Sequence, residues 1–221
     1  MAKLARLILT GLVASAAVSP ASAAVNICTG NNCVDTDENV LVDAQTNTAV
    51  GQNISGETNN THIAVTFSST LDILQGDANG QADVGATSGL LNSLFFTIAP
   101  GYGFRTATFN LFPAPGNVAN EATSVIITYF TPGIGSQTRT IGTNGQNFLG
   151  ISGDNGEIFT SVGFTGNPAT TGIQDMRQLR LGGVAALVPE PSTWALFILG
   201  FGAIGTALRR KASRRVALRF A

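Results

Sequence analysis

Apolar and polar residues alternate through much of the chain. In 61–68 (THIAVTFS), Ile63, Val65 and Phe67 share one face and polar side chains occupy the other. This period of two is typical of a strand with one buried face. Comparable runs predict strands at 90–98, 104–112, 123–130, 137–141, 146–151, 158–164 and 177–184. The run 123–130 (TSVIITYF) is denser in apolar residues, and we expect it to be a central strand buried on both faces.

Turn-forming Gly, Pro and Asn residues separate these runs, and 24–187 contains no helical period of ten residues or more. Short β-branched runs at this spacing indicate an all-β fold, a single domain of the β-sandwich or jelly-roll type. We assign the sandwich to 61–187 and treat 24–60 as the N-terminal segment of the mature chain.

The first 23 residues have the three parts of a signal peptide. Lys3 and Arg6 are followed by an uncharged apolar run at 7–18, and Ala21 and Ala23 stand where signal peptidase requires small residues. We therefore expect cleavage after Ala23 and export of the rest of the chain.

The chain contains two cysteines, Cys28 and Cys33, on either side of the turn-forming sequence Thr-Gly-Asn-Asn. In an oxidising compartment they are expected to form a small disulfide loop, which their spacing permits but does not require. A Cys-x-x-Cys redox motif is excluded by the spacing.

A second apolar segment lies near the C-terminus. The 17 residues between Pro191 and Arg209 are uncharged, and as a helix they would reach about 25 Å, slightly less than a hydrocarbon core of ~30 Å. Trp194 suits the outer interface, and the basic residues suit the cytoplasmic side. We therefore predict one transmembrane helix, with a face for close helix contact at Gly200, Gly202 and Gly205 and a topology set by Arg209, Arg210 and Lys211.

The order of these parts resembles a known family. The segment 188–195 (VPEPSTWA), an apolar Gly-rich helix and a basic cluster resemble the PEP-CTERM sorting signal in its PEPxxWA variant, over 188–215. The motif residues are Pro189, Glu190, Pro191, Trp194 and Ala195. The resemblance implies a Gram-negative bacterium and processing near Pro189–Pro191 by an exosortase, a membrane enzyme. It also implies an inner-membrane-anchored precursor with its body in the periplasm, later moved to the cell surface or extracellular matrix, often alongside exopolysaccharide.

Charge limits the partners of the exported body. Charged residues are 11 % of the chain, against roughly 25 % in ordinary soluble domains. The stretch 24–187 has four arginines against twelve carboxylates, a formal charge of −8, although the whole chain stands at −1. A nucleic-acid partner is disfavoured because such a body repels phosphates. Cations and neutral sugars suit it better.

Candidate chemical sites are few, and we predict no catalytic residue, no cofactor and no metal centre. Carboxylates and amides at 77–83 (DANGQAD) resemble a calcium loop, but Gly80 comes too early and the distal Glu of an EF-hand is absent. We expect an Asn-Gly turn there, with at most weak Ca²⁺ binding by the acidic body. His62 is expected on the solvent face of its strand, and nothing marks a nucleophile beside it.

Three hypotheses follow. The leading one is a non-enzymatic exported β-sandwich protein, processed by exosortase and acting at the cell surface or in exopolysaccharide. The second is a carbohydrate-binding or adhesive module, assisted by calcium. The third is a secreted hydrolase, which would need two facing carboxylates in an open cleft.

Overall fold

The computed structural model describes residues 24–30, 33–42, 48–77, 81–113, 119–143, 148–187 and 191–213. The predicted signal peptide, with Ala21 and Ala23, lies outside these residues. The described part contains β1 (Val25–Thr29), β2 (Glu38–Val42), β3 (Thr48–Gly51), β4 (Asn53–Thr58), β5 (Ala64–Ser68), β6 (Leu74–Asp77), β7 (Asp83–Ala86), β8 (Ser93–Ile98), β9 (Tyr102–Gly103), β10 (Thr106–Phe112), β11 (Ser124–Thr131), β12 (Gly135–Gly142), β13 (Phe148–Gly153), β14 (Ser161–Gly166), β15 (Asp175–Gly182), β16 (Ala185–Ala186) and α1 (Pro191–Ser213).

Fourteen of the strands form one curled antiparallel sheet, which confirms the all-β prediction. Its strand order is β1-β13-β10-β15-β2-β4-β5-β8-β14-β11-β12, and β7, β6 and β3 continue from β15 on a separate branch. The other two strands, β9 and β16, pair with each other. All eight predicted strands are present, with ends shifted by a few residues.

The sheet curls so that its two halves pack against each other. Phe96 of β8 and Phe109 of β10 lie on different halves, and their ring centroids are 5.6 Å apart in an edge-to-face contact. Phe104 and Phe159 continue this aromatic contact at 5.9 Å. These side chains are fully buried, so the interior between the halves is the hydrophobic core of the body.

Strand β2 joins the two halves. Its Glu38 and Asn39 pair with Leu181 and Arg180 of β15, and its Val40–Val42 part pairs with β4. Strand β1 pairs with β13 along its whole length. Residues 24–60, predicted as a segment that precedes the sandwich, therefore contribute strands to the same sheet.

Two expectations about individual strands are wrong. In β11 the side chains of Val125, Ile127 and Tyr129 are buried, but Phe130 on the other face is 43 % exposed. Ile126 and Thr128 on that outer face are half-buried, so β11 is fully buried on one face only. His62 lies in the turn before β5 with a φ of 53°, and its backbone N–H donates to Thr58 O (3.1 Å). Its side chain is exposed to solvent, as expected.

Candidate functional site

The chain leaves the body through a short paired segment. Ala185 and Ala186 of β16 pair with Gly103 and Tyr102 of β9. The backbone N–H of Leu187 then donates to Gly101 O at 2.8 Å. We call residues 185–187 the C-terminal strap, because they hold the end of the body against β9.

A glycine in β9 leaves the space in which this strap packs. Gly103 is buried, and a Cβ added there would collide with Ile158 Cγ2 and lie 3.0 Å from Leu187 Cδ2. The side chains of Ile158 and Leu187 therefore occupy the space that any larger residue at 103 would need. Hydrogen bonding and side-chain packing both fix the strap as far as Leu187.

Helix α1 begins at Pro191, four residues after the end of the strap. Proline is favoured in the first turn of a helix because the N–H that it lacks has no intrahelical acceptor there. The large apolar side chains of α1 are 57–71 % exposed, and they are Trp194, Leu196, Phe197, Ile198, Leu199, Phe201, Ile204 and Leu208. Added Cβ atoms on Gly200, Gly202 and Gly205 would meet no atom within 4 Å, so this predicted contact face has no partner in the described chain.

The transmembrane prediction for this segment is corrected. Among the residues that the structure describes, no helix is both long and apolar enough to cross a membrane. The physical reason is the composition of the run: its uncharged part is only 17 residues long and includes three glycines and three hydroxyl side chains.

The predicted sorting residues are distributed around the start of α1. Pro189 and Glu190 lie outside the described residues, whereas Trp194 and Ala195 lie on the helix and are exposed. Pro191, Arg210 and Lys211 belong to the helix, and Arg209 is exposed beside them. Their roles in recognition and topology stay predictions.

A second candidate site is a polar groove of about 280 Å³ on the body. It is formed by β6, β7, the turn after β7 and the start of β15. We call it the β6–β7–β15 groove. Its lining residues are Gln75, Asp77, Asp83, Gly85, Ala86, Gly89, Gln174, Asp175 and Arg177.

Strand pairing brings these residues together. Asp77 and Asp83 face each other across the β6–β7 hairpin, and Asp83 is paired with Arg177 across β7 and β15. In β15, Gln178 has a φ of 57°, and the pairing with β10 shifts register at this point. This bulge follows Arg177 directly and ends the groove along β15.

Arg177 is the centre of the groove. Its Nη2 lies 2.7 Å from Asp175 Oδ2, and its Nε lies 3.3 Å from Asp83 Oδ2. The guanidinium carbon lies 4.1 Å from the centroid of the Phe112 ring, in cation–π contact. Phe112 is 38 % exposed, so the groove has an accessible aromatic side chain next to its charged residues.

The carboxylates of the groove affect each other. The pKa of Asp83 is raised above its ordinary value of 3.8, first because burial disfavours the charged form and then because Asp175 is close. Arg177 opposes this increase, and Asp77 adds to it. The groove is lined by three carboxylates and one guanidinium, and this excess of acidic groups disfavours anionic ligands.

Only part of the calcium-like loop 77–83 can be placed in the β6–β7–β15 groove. Asp77 and Asp83 line the groove, whereas 78–80 lie outside the described residues. Within the described ranges, no three His, Cys, Asp or Glu side chains are grouped closely enough to hold a metal ion.

Two other buried carboxylates stabilise turns. Glu38 Oε2 accepts from the backbone N–H and the hydroxyl of Thr61 at 3.1 and 3.0 Å. Asp72 Oδ2 accepts from the backbone N–H groups of Asn92 and Ser93, each at 2.9 Å. These carboxylates are acceptors for backbone N–H groups, of which the Ser93 N–H is buried.

The predicted disulfide position also lies on the body. Cys28 and Cys33 are joined in a disulfide, which packs over Gly150 of β13. A Cβ at Gly150 would lie 2.6 Å from Cys33 Sγ and 2.9 Å from Cys28 Sγ, so a glycine is required beneath the bond.

The C-terminal segment can be recognised in the sequence, whereas the groove as a unit cannot. Its only sequence signal is the carboxylate pair of the 77–83 loop, because Arg177 and Asp175 are almost a hundred residues away. Pairing between β7 and β15 creates the cluster, and no local pattern reveals it.

Comparison with known proteins identifies the C-terminal segment. A search of curated proteins finds no match to the chain. Residues 187–211 match the family model for the PEP-CTERM protein-sorting motif, which confirms the resemblance seen in the sequence. The motif implies an exported precursor that is anchored at a membrane through its C-terminal signal and processed by an exosortase. The chain therefore carries a PEP-CTERM protein-sorting motif, which starts at the last residue of the strap.

Proposed function

We propose that this protein is a non-enzymatic β-sandwich module that exosortase processing delivers to the cell surface or to an exopolysaccharide matrix. The observation that carries this proposal is the position of the sorting motif directly after a folded body. A body followed immediately by a sorting signal is itself the material that is delivered.

The use of the acidic side chains supports a non-enzymatic role. Glu38 and Asp72 accept hydrogen bonds from backbone groups in turns, and Asp175 is bonded to Arg177. His62, which a catalytic triad would need, is 70 % exposed in a turn, 3.4 Å from Glu57. These groups have structural partners or open solvent around them, which suits a binding or scaffold protein better than a hydrolase.

Cell fractionation with mass spectrometry of the C-terminus tests this proposal. We expect the wild-type protein in the surface or matrix fraction, without the helix segment, and a variant lacking 189–215 in a different fraction. Glu190→Ala is the point variant for the motif, and Glu121→Ala is its matched Glu→Ala control on the body. Mature protein that retains all of 189–221 would overturn the processing part. Hydrolysis of a matrix polysaccharide by the purified protein would overturn the non-enzymatic part.

A specific observation favours a second function, binding of neutral sugars by the β6–β7–β15 groove. The groove combines carboxylates, a guanidinium and the amides of Gln75 and Gln174, with Phe112 stacked on Arg177 at its rim. Side-chain oxygens and N–H groups can accept from and donate to sugar hydroxyls, and an aromatic face contacts the apolar face of a sugar ring. The excess of carboxylates disfavours acidic sugars.

An array of neutral and acidic glycans tests this second function. We expect binding of neutral glycans that Gln75→Ala and Phe112→Ala reduce about tenfold, the loss expected for roughly 1.4 kcal/mol of contact energy. Gln52→Ala removes an exposed Gln outside the groove and is the matched control. Equal binding by all variants would place the sugar elsewhere, and a signal that EDTA abolishes would indicate calcium-dependent binding.

A further inference from the structure

The C-terminal strap lies directly before the segment that the exosortase must reach. Leu187 is the last residue before α1 that the structure describes, and it is bonded to Gly101; α1 begins at Pro191. Between them lie only residues 188–190, which include the first two residues of the Pro-Glu-Pro motif. Four Cα–Cα steps of extended chain span at most about 14 Å.

This distance is small for an enzyme. A single α-helix with its side chains is about 10–12 Å wide, so the span between the body and α1 admits little more than one element of another protein. Proteolytic enzymes cut preferentially where the chain is exposed and unpaired. In the strapped state the residues before the motif are paired with β9 and packed on the body.

The strap is held by few backbone contacts, so it can detach from β9 locally. It has a two-residue strand and one further backbone hydrogen bond, from Leu187 to Gly101, and Ala185 and Ala186 are exposed. The core of the body does not include the strap residues, so their release leaves the hydrophobic core intact. Segments with few buried contacts open locally at low free-energy cost, without global unfolding.

We propose that the C-terminal strap controls exosortase processing, because residues 185–187 must leave β9 before the enzyme can engage the Pro-Glu-Pro segment. This inference rests on the processing part of the proposed function. If opening is fast compared with cleavage, the rate of processing follows the population of the open strap. The stability of the strap on β9, with Leu187 packed at Gly103, then sets how quickly the protein is released from its precursor form.

A reversible lock tests the strap. Ala186 and Tyr102 are directly paired across β16 and β9, so Ala186→Cys with Tyr102→Cys places two thiols where a disulfide can join the strands in the oxidising compartment. In cells with exosortase, we expect the oxidised double variant to accumulate unprocessed precursor, with processing slowed about tenfold or more. Reduction with dithiothreitol should restore the wild-type rate, and each single Cys variant is a matched control.

A second variant separates access from recognition. Six Gly and Ser residues inserted between Leu187 and Val188 lengthen the span without changing the motif. We expect this insertion to restore processing in the oxidised lock, because the enzyme can then approach while the strap stays paired. Wild-type processing of the oxidised double variant would overturn the strap proposal alone. Failure of the wild-type protein itself to be processed would overturn the sorting function and the strap together.

Discussion

Arg177 and Asp175 form a bidentate pair: Nε donates to Oδ1 and Nη2 donates to Oδ2, each at 2.7 Å. Asp175 is 6 % exposed, so its charge depends on the guanidinium for compensation. The hydrogen bonds to Asp175 also raise the pKa of Arg177. The pair thus fixes the start of β15 and the base of the β6–β7–β15 groove at the same time.

Arg177→Met should destabilise the protein by about 1–3 kcal/mol, because it leaves the buried Asp175 carboxylate without its donors. Arg177→Lys keeps the charge but loses the planar two-point geometry, and it should fall between Met and wild type. Urea unfolding measures both variants. Adding Asp175→Asn to Arg177→Met should recover part of the loss, whereas strictly additive effects would show that the two side chains are not coupled.

Asp83→Asn should change how stability depends on pH. Because the pKa of Asp83 is raised in the folded state, the folded protein binds this proton more tightly than the unfolded chain does. Stability therefore falls as pH rises from 3.8 through the higher folded-state value. We expect Asn to give a small stabilisation at about pH 7 that disappears at about pH 3. Unfolding curves across this range test the sign, and a stabilisation that is equal at both ends would contradict it.

Gly150→Ala should destabilise the protein by about 1–3 kcal/mol, because the new methyl group overlaps both disulfide sulfurs. The matched control is Gly85→Ala, whose Cβ would meet Gln174 O at 3.5 Å and Asp175 Cβ at 3.6 Å, ordinary contact distances. Thermal unfolding compares the two. In a Cys28→Ala, Cys33→Ala background the cost of Gly150→Ala should fall, and an unchanged cost would show that the overlap is with other atoms.

Asp72→Ala should cost more than Asp72→Asn. The carboxylate accepts from two backbone N–H groups and from the Ser69 hydroxyl, and alanine removes this acceptor, which leaves the buried Ser93 N–H without it. Each unsatisfied buried group costs about 1–3 kcal/mol. Asparagine keeps one oxygen acceptor and should retain part of the stability. Hydrogen exchange at Asn92 and Ser93 measures the effect locally, and unchanged protection in the alanine variant would contradict it.

Alternation of apolar and polar residues was sufficient to predict the strands that carry much of the core. In β5 it correctly placed Val65 and Phe67 in the interior, where both are fully buried. It did not detect β4 (Asn53–Thr58), whose inward residues are Ile54, Gly56 and Thr58. A glycine is needed at 56 because a Cβ there would collide with Leu41 O and approach the Phe67 ring. A strand that faces the core with a glycine and a threonine has no apolar period to detect.

The two candidate sites differ in how visible they are in the sequence. The sorting segment is a local motif, so its identity could be read from consecutive residues such as Pro189 and Trp194. The strap and the groove depend on contacts between residues distant in sequence: Leu187 with Gly101, and Arg177 with Asp83. Alternation within one segment contains no information about such partners.

Strand β2 has a consequence for the timing of folding. It can join the two halves only when Arg180 and Leu181 of β15 are available to pair with Asn39 and Glu38. Contacts between residues so far apart in sequence form slowly, because a long loop must close first. Because β2 follows β1 near the start of the body and β15 lies near its end, the two halves cannot be joined in this way until nearly all of the body has been synthesised.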